Sequence, residues 1–311
     1  MSTPVDIIIV SYNTRDLLRA CLDSARAHAS GARAIVVDNA STDGSPEMVA
    51  TEFPEVTLLR SAENLGFGGA NNLGIAAGDA PLLLFLNSDA ALTPGALERL
   101  VTALEAAPEV VMAGPRLVYP DGRFQRSCRR IPNAWRYAWS LSGLCARMPW
   151  VRPLDTWYNE AEHRPGLRPG MLSGACFLAR RDYLASIANF DPRLFLYEEE
   201  TDLAIPARKR GLRCIYVPES TVQHHGGAST GEHVMSAISE HHLFRSKYLV
   251  FDKHYGKTHA RLAFWLDTAV LGAAARRQAR RGGGTAAQSL ARCQKAFADY
   301  EQVITSFPYS L

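Results

Sequence analysis

Four carboxylates stand within five residues of this sequence, at Glu198, Glu199, Glu200 and Asp202. They lie between an apolar, strand-like segment and the amphipathic stretch 203–210, so at least one acid is expected to point into a cleft. Burial and neighbouring negative charge raise the pKa of a carboxylate and make it a better base at neutral pH. The segment therefore predicts a general base, and the alternative is a solvated acidic surface.

Asp89 and His224 carry groups that bind divalent cations. Asp89 ends an Asn-Ser-Asp sequence directly after the apolar run Leu82–Leu86, so a buried strand is predicted to deliver its carboxylate to the edge of a sheet. His224 precedes a second histidine and a glycine turn. A carboxylate and a neutral imidazole are common metal ligands, and a hard cation bridges diphosphate oxygens well. A purely structural histidine is the alternative.

Two more segments could bind a nucleotide. Asp38 follows a predicted strand, where its carboxylate could accept the ring N–H of uracil or thymine while the Tyr12 ring stacks on the base; Asp38 could also be a turn former or helix cap. The glycine-rich segment 64–72 leads into a predicted helix. It could bind a phosphate at the start of that helix, or it could be a tight turn that allows close helix packing. It is not a dinucleotide-binding GxGxxG, because Asn71 replaces the third glycine and the first strand does not precede it.

The elements that position these residues alternate between strand and helix. Strands are predicted at 5–10, 34–37, 56–59, 82–86, 175–179 and 214–217, and helices at 15–28, 46–53, 69–77 and 92–106. Thr93 is the expected cap of the last of these helices, with Pro94 at its first position. The alternation predicts an α/β fold with a mainly parallel sheet covered on both faces and binding sites at the carboxyl ends of the strands.

Composition agrees with a globular enzyme. The chain has 311 residues, 47% hydrophobic and 21% charged, with a net charge of +3, which excludes disordered, collagen-like and coiled-coil classes. The six cysteines form no CxxC pair, so reduced thiols are expected. No basic stretch precedes the first apolar run and no apolar run reaches the roughly 18 residues of a membrane span, so a cytoplasmic location is expected.

Two segments are strongly basic. Residues 116–152 hold eight arginines and one acid, and four of the five tryptophans lie at 135, 139, 150 and 157. Arginine suits diphosphate groups and tryptophan suits sugar faces or a membrane interface, so this segment could cover the acceptor side; a mobile, solvated loop is the alternative. The basic helix near 262–281 could dock on anionic lipid at the inner face of the membrane or form a homodimer contact.

Taken in order, the motifs resemble the family 2 glycosyltransferases, which are inverting GT-A fold enzymes that use nucleotide-diphosphate sugars, and among them the bacterial rhamnosyltransferase-like enzymes of cell-surface polysaccharide assembly. The matching segments are 10–13, 38–44, 64–67, 87–89, 173–176, 198–202, 224–229 and 245–256. The resemblance implies a GT-A domain at 1–256, including a mobile basic loop at about 116–170, and a helical C-terminal extension at 257–311.

The resemblance also implies roles by matched position. The implied donor-binding residues are Ser11, Tyr12, Asn13, Asp38, Asn64, Gly66, Phe67, Asn71, Asn87, Ser88, Ser173, Gly174 and Ala175. Asp89 stands at the last position of the family's DxD-like triplet and, with His224, is an implied ligand of Mg²⁺ or Mn²⁺. The family's base aligns with Glu200, with Glu199 as the alternative, and Asp202 is implied to orient the site.

The implied reaction moves a rhamnose-like sugar from a dTDP- or UDP-sugar to a saccharide or lipid-diphosphate-saccharide acceptor. A non-catalytic binding protein with a degenerate GT-A fold is the alternative, against which the acidic base position and His224 argue. The near-neutral charge and the site motifs argue against a nucleic-acid partner.

Overall fold

The computed structural model describes residues 3–144, 148–226, 236–280 and 285–306. Its strands are β1 (Val5–Ser11), β2 (Arg33–Asp38), β3 (Thr57–Arg60), β4 (Leu82–Leu86), β5 (Ala90–Leu92), β6 (Val110–Val118), β7 (Phe124–Gln125), β8 (Cys128–Arg129), β9 (Met171–Leu172), β10 (Cys176–Arg180) and β11 (Arg213–His224). Its helices are α1 (Arg15–His28), α2 (Ser45–Glu52), α3 (Gly66–Ala77), α4 (Ala96–Glu105), α5 (Ala134–Ser142), α6 (Arg181–Ala185), α7 (Glu199–Lys209), α8 (Ala237–Tyr255), α9 (Lys257–Ala279) and α10 (Thr285–Ser306).

A nine-stranded sheet runs through the centre in the order β3-β2-β1-β4-β10-β6-β11-β5, with β7 paired to β6. Strands β3, β2, β1 and β4 are mutually parallel, and β6 is parallel to β11. β10 runs antiparallel to both of its neighbours, and β5 and β7 are also antiparallel additions. The predicted α/β class is therefore confirmed, with a mixed sheet in place of the mainly parallel one.

Apolar side chains alternate along the central strands and so cover both faces of the sheet. Leu84 packs into a cluster with α1, α2 and α4, whereas its neighbour Phe85 packs into a second cluster with α3, α6 and α7. This period of two is what places a buried strand between two helical layers. The sheet thereby holds the carboxyl ends of β1, β2 and β4 at one edge.

The C-terminal helices form a third cluster with α5. α8, α9 and α10 pack on one another around the fully buried Tyr248 and Tyr300, and Leu194 and Ile205 of the acidic region join the same cluster. Within α8 and α9, Lys247 and Asp267 form a buried ion pair. No helix of the described chain is long and apolar enough to cross a membrane.

The structure corrects two local predictions. Thr93 does not cap α4, because the helix begins at Ala96 after the left-handed Gly95, and the Thr93 hydroxyl donates to the carbonyl of Thr221 at 2.7 Å instead. The basic segment 116–170 is also more ordered than a loop, since it contains β7, β8, α5 and the 3₁₀ turns Pro149–Leu154 and Glu160–Glu162. Cys145 lies outside the described residues, and the other five cysteines are buried free thiols, as expected.

Candidate active site

The acidic cluster begins helix α7 directly after a strained turn. Tyr197 and Glu198 both have a positive φ, at 70° and 68°, which side chains other than glycine rarely adopt. On one side, helix α3 supports this turn, because the Phe67 N–H donates to the Phe195 carbonyl at 2.8 Å. An added Cβ at Gly66 would overlap that same carbonyl, so the close approach requires glycine.

Helix α8 supports the same turn from the other side. The His242 ring stacks on Phe195 with centroids 4.7 Å apart, and the Ser246 hydroxyl donates to the Leu196 carbonyl at 2.9 Å. Ser246 belongs to the matched segment 245–256, so this segment helps to hold the acidic turn in position. The sequence pattern assigns no individual role to either side chain.

Asp202 is buried and fixes the first turn of α7 to α8. Its carboxylate accepts from the Lys253 ammonium at 2.7 Å and from the His254 ring at 2.6 Å. Both carboxylate oxygens are thus occupied by cationic or ring donors. This geometry suits the predicted orienting role and not proton transfer.

Glu198 is held as a carboxylate by its neighbours. Burial raises its pKa, but the Arg129 guanidinium and hydrogen bonds from Tyr137 and Thr201 outweigh burial and bring the pKa below its ordinary value. Arg129 lies between the rings of Tyr137 and Trp157. Arg129 belongs to the basic segment predicted to cover the acceptor side or to form a mobile, solvated loop, whereas its side chain is 12% exposed and pairs with Glu198.

Glu199 and Glu200 differ from both of these acids. Burial, together with the charge of Glu200, raises the pKa of Glu199 well above its ordinary value, and Glu199 Oε1 has no hydrogen-bond partner among the described residues. Burial raises the pKa of Glu200 to about 7, against the opposing effect of backbone hydrogen bonds that include the Gly174 N–H. An added Cβ at Gly174 would overlap Glu200 Oε1. Glu200 is therefore a partly exposed carboxylate whose pKa suits a general base at neutral pH.

Asp89 and His224 are brought together by strand pairing. β11 runs antiparallel to β5 with His224 opposite Ala90, so His224 Nε2 lies 3.2 Å from Asp89 Oδ1. On its other side, His224 Nδ1 lies 2.8 Å from Gln125 Oε1 in β7. An Nδ1 proton donated to the Gln125 amide oxygen would leave Nε2 as the nitrogen that binds a cation shared with Asp89. Gln125 carried no sequence signal, since β7 is only two residues long.

These two side chains fit a divalent cation held together with a ligand. Two adjacent ligands of a hard octahedral cation with bonds of about 2.1 Å lie about 3 Å apart, close to the 3.2 Å between His224 and Asp89. No group of three or more His, Cys, Asp or Glu in the described chain could hold a metal alone. The remaining ligands of such a cation would be diphosphate or water oxygens.

The nucleotide-binding prediction has its best support at Asp38. This buried side chain ends β2, and its Oδ2 accepts the Ser41 N–H at 3.1 Å. Oδ1 is buried without a hydrogen-bond partner in the described chain. A buried acceptor without a donor is costly, so Asp38 fits the ring N–H of a base.

A chain of hydroxyl groups links the ends of β1 and β4. Ser11 Oγ lies 3.0 Å from Thr14 Oγ1, which donates to Ser88 Oγ at 2.8 Å. The predicted residue Tyr12 is exposed beside this chain, and Asn13 Oδ1 accepts the Thr42 N–H at 2.8 Å. The predicted donor residues of β1, β2 and β4 therefore lie at one edge of the sheet.

The glycine-rich segment 64–72 instead matches the packing alternative. Asn64 Oδ1 accepts from the Asn39 amide at 2.8 Å, and the buried Asn71 amide donates to the Phe67 carbonyl at 2.9 Å within α3. The donor contact of Asn71 stays a prediction. Gly66 and Phe67 contact the acidic turn at Phe195, and the donor roles of Asn64, Gly66 and Phe67 stay predictions.

The loop of the predicted metal ligand Asp89 and the predicted base Glu200 both contact the predicted sugar pocket at 173–175. The Asn87 N–H donates to the Ala175 carbonyl at 3.0 Å, which joins the Asp89 loop to the 173–175 turn. A cavity of about 640 Å³ opens beside this turn. It is lined by Tyr119, Phe124, Gln125, Arg126, Trp157, Asn159, Glu160, Ser173 and His224.

A mixed sheet with an acidic cluster and an Asp–His pair at its strand ends is the arrangement that the GT-A resemblance implies for a sugar transferase. The profile described as Glycosyl transferase family 2 matches residues 6–188, and the chain belongs to this family. It is 33% identical over 282 residues to an N-acetylglucosaminyl-diphospho-decaprenol L-rhamnosyltransferase of Mycobacterium tuberculosis, covering 86% of this chain and 90% of that protein.

Solved structures agree with this fold. A mannosyltransferase of Pyrobaculum calidifontis, solved with GDP-Man and Mn²⁺, aligns with a TM-score of 0.58 at 18% identity over 99% of this chain and 76% of its own. The structure of GalNAc-T7 with UDP, GalNAc and Mn²⁺ aligns with a TM-score of 0.58 at 14% identity over 80% of this chain and 48% of its own. The GT-A expectation is therefore confirmed.

Proposed function

We propose that the protein is an inverting glycosyltransferase that moves a rhamnose-like hexose from a dTDP- or UDP-sugar to a lipid-diphosphate-linked saccharide during cell-surface polysaccharide synthesis. The observation that carries the proposal is Glu200, whose pKa is raised to about 7 beside Gly174. It is supported by the relative named as a rhamnosyltransferase, which spans most of the chain.

The donor would lie across the strand ends. Asp38 Oδ1 would accept the ring N–H of uracil or thymine, and the exposed Tyr12 ring would pack against the base. Asp89 and His224 would hold the cation, with Gln125 fixing the imidazole. When bound there, Mg²⁺ or Mn²⁺ offsets the charge that develops on the leaving diphosphate.

Transfer would then be a single displacement. Glu200 takes the proton of an acceptor hydroxyl while that oxygen forms a bond to the anomeric carbon. The bond from the anomeric carbon to the diphosphate oxygen breaks, and its electron pair leaves with the diphosphate. Because attack and departure occur on opposite faces, the anomeric configuration inverts.

The acceptor would occupy the cavity beside His224 and Ser173. Trp157 offers a ring for the apolar face of a sugar, and the exposed guanidinium of Arg126 suits an acceptor diphosphate. Asn159 and Glu160 supply acceptors and donors for sugar hydroxyls. The cavity thus offers groups for both parts of a saccharide diphosphate.

The proposal is tested by thermal-shift titration of the full chain with dTDP-, UDP- and GDP-sugars in the presence of Mn²⁺. We expect stabilisation by dTDP- or UDP-sugars and loss of that stabilisation in Asp38→Ala. The matched control is Asp79→Ala, which removes an exposed carboxylate near the opposite ends of the strands. Equal stabilisation of wild type and Asp38→Ala, or a response to GDP-sugars alone, would contradict the donor assignment.

A further inference from the structure

Three tryptophans of the described chain are more than half exposed. They are Trp135 in α5 (57%), Trp150 in the turn Pro149–Leu154 (75%) and Trp265 in α9 (64%). Tryptophan normally has most of its large apolar surface covered in a folded protein. Several exposed rings on neighbouring elements therefore indicate an interaction surface.

The three segments that carry these rings are in direct contact. The Ala134 N–H at the start of α5 donates to His259 Nε2 in α9 at 3.1 Å. The Arg136 guanidinium of α5 donates to the Pro153 carbonyl in the 3₁₀ turn at 2.8 Å. The exposed tryptophans therefore lie on three elements that contact one another.

Basic side chains continue this surface along α9. Arg261, Trp265, Ala269, Arg276 and Arg280 are all exposed, and their spacing of four, four, seven and four residues keeps them on one side of the helix. Arg277, next to Arg276, is also exposed. We define the Arg–Trp face by Trp135, Trp150, Trp265, Arg261, Arg276, Arg277 and Arg280.

The charge of this face is predominantly positive. Glu301 of α10 contributes one carboxylate beside it, 3.9 Å from the Arg261 guanidinium. The acid of α9 is Asp267, and it is buried in an ion pair with Lys247 on the opposite side of the helix. The exposed surface of α9 consequently presents arginines beside tryptophan with no carboxylate from the same helix. Arginine is attracted to anionic headgroups, and tryptophan sits at the level of the headgroups.

We propose that the Arg–Trp face docks the protein on the surface of an anionic lipid bilayer. No helix of the described chain is able to span a bilayer, so the contact would be peripheral. A twofold dimer through this face would bring the arginines of two copies together, which like-charge repulsion disfavours. Docking itself rests on the surface residues, and only its link to a lipid-linked acceptor rests on the proposed function.

The test is co-sedimentation of the full chain with vesicles of phosphatidylcholine containing a minority of phosphatidylglycerol, compared with phosphatidylcholine alone. We expect binding to the anionic vesicles. Each arginine near an anionic surface contributes about fivefold to partitioning, so Arg276→Ala/Arg277→Ala/Arg280→Ala should weaken binding on the order of 100-fold. Trp135→Ser/Trp265→Ser should weaken it as well.

The matched control removes the same charge elsewhere, as Arg60→Ala/Arg99→Ala/Arg208→Ala, three exposed arginines on β3, α4 and α7. This variant should bind almost as wild type does. Equal losses in the two triple variants, or no binding of wild type to anionic vesicles, would overturn the proposal. A dimer in light scattering that Trp265→Ser dissociates would assign the face to a second copy.

Donor binding serves as an independent readout. The Arg–Trp variants should keep the wild-type thermal shift with a dTDP- or UDP-sugar, because none of their residues lies in the site. Vesicle binding without any donor response would contradict the proposed function and leave docking intact. The reverse result would contradict docking alone.

Discussion

Replacing Glu200 by glutamine tests the base assignment, because glutamine keeps the shape of the side chain and removes its ability to take a proton. With a pKa of about 7, Glu200 is about half ionised at pH 7 and about a tenth ionised at pH 6. Wild-type kcat should therefore fall about tenfold between pH 8 and pH 6. Glu200→Gln should lose on the order of 10²- to 10⁴-fold in kcat and lose this pH dependence.

The assay is initial-rate transfer from a dTDP- or UDP-sugar across this pH range, with nucleotide affinity measured separately by calorimetry. Glu199→Gln is the matched control, because burial raises the pKa of Glu199 well above its ordinary value and so favours the protonated form that glutamine imitates. It should keep kcat within about tenfold of wild type, since it loses no proton acceptor. Near-normal turnover in folded Glu200→Gln, or a large loss confined to Glu199→Gln, would refute the assignment.

Three further predictions test the surroundings of the base and of the predicted metal site. Gly174→Ala should lower kcat at unchanged nucleotide affinity, because its Cβ overlaps the Glu200 carboxylate; turnover equal to wild type would contradict this contact. Gln125→Leu should weaken Mn²⁺ binding in the presence of nucleoside diphosphate by roughly 10- to 100-fold, measured by electron paramagnetic resonance, because His224 loses its hydrogen-bond acceptor. Unchanged Mn²⁺ affinity in Gln125→Leu would contradict a role of Gln125 in metal binding. Since the raised pKa of Glu199 makes the folded state hold a proton that the unfolded state has released, stability should decline as pH rises above about 4.5. Urea unfolding at pH 5 and pH 8 should show a smaller decline in Glu199→Gln, and equal declines would argue against the raised pKa.

The first half of the fold could be predicted from the sequence because its signals are local. The apolar run of β4 and the helical period of α1 identify these elements within a residue or so, and parallel pairing then places Asp38 and Asp89 at one edge. The roles of these carboxylates are still predictions, but Asp38 Oδ1 is buried without a hydrogen-bond partner among the described residues, and Asp89 lies beside His224.

The remaining features depend on contacts between distant parts of the chain. The direction of β10 is set by pairing with β4 and β6, and no local pattern records it. In the sequence Arg129 is one of the eight arginines of segment 116–152. Its pairing with Glu198, 69 residues away, arises only in the folded chain. Gln125 acts only because β7 brings it to His224, 99 residues away.

The anomeric configuration of the product tests the central claim most directly. The full chain would be incubated with Mn²⁺, a dTDP- or UDP-hexose and a lipid-diphosphate-linked N-acetylglucosamine, and the product examined by nuclear magnetic resonance. A single displacement assisted by Glu200 predicts a new glycoside whose anomeric configuration is opposite to that of the donor. A product that retains the donor configuration, or no transfer from either nucleotide class by folded protein that binds the donor, would contradict the account.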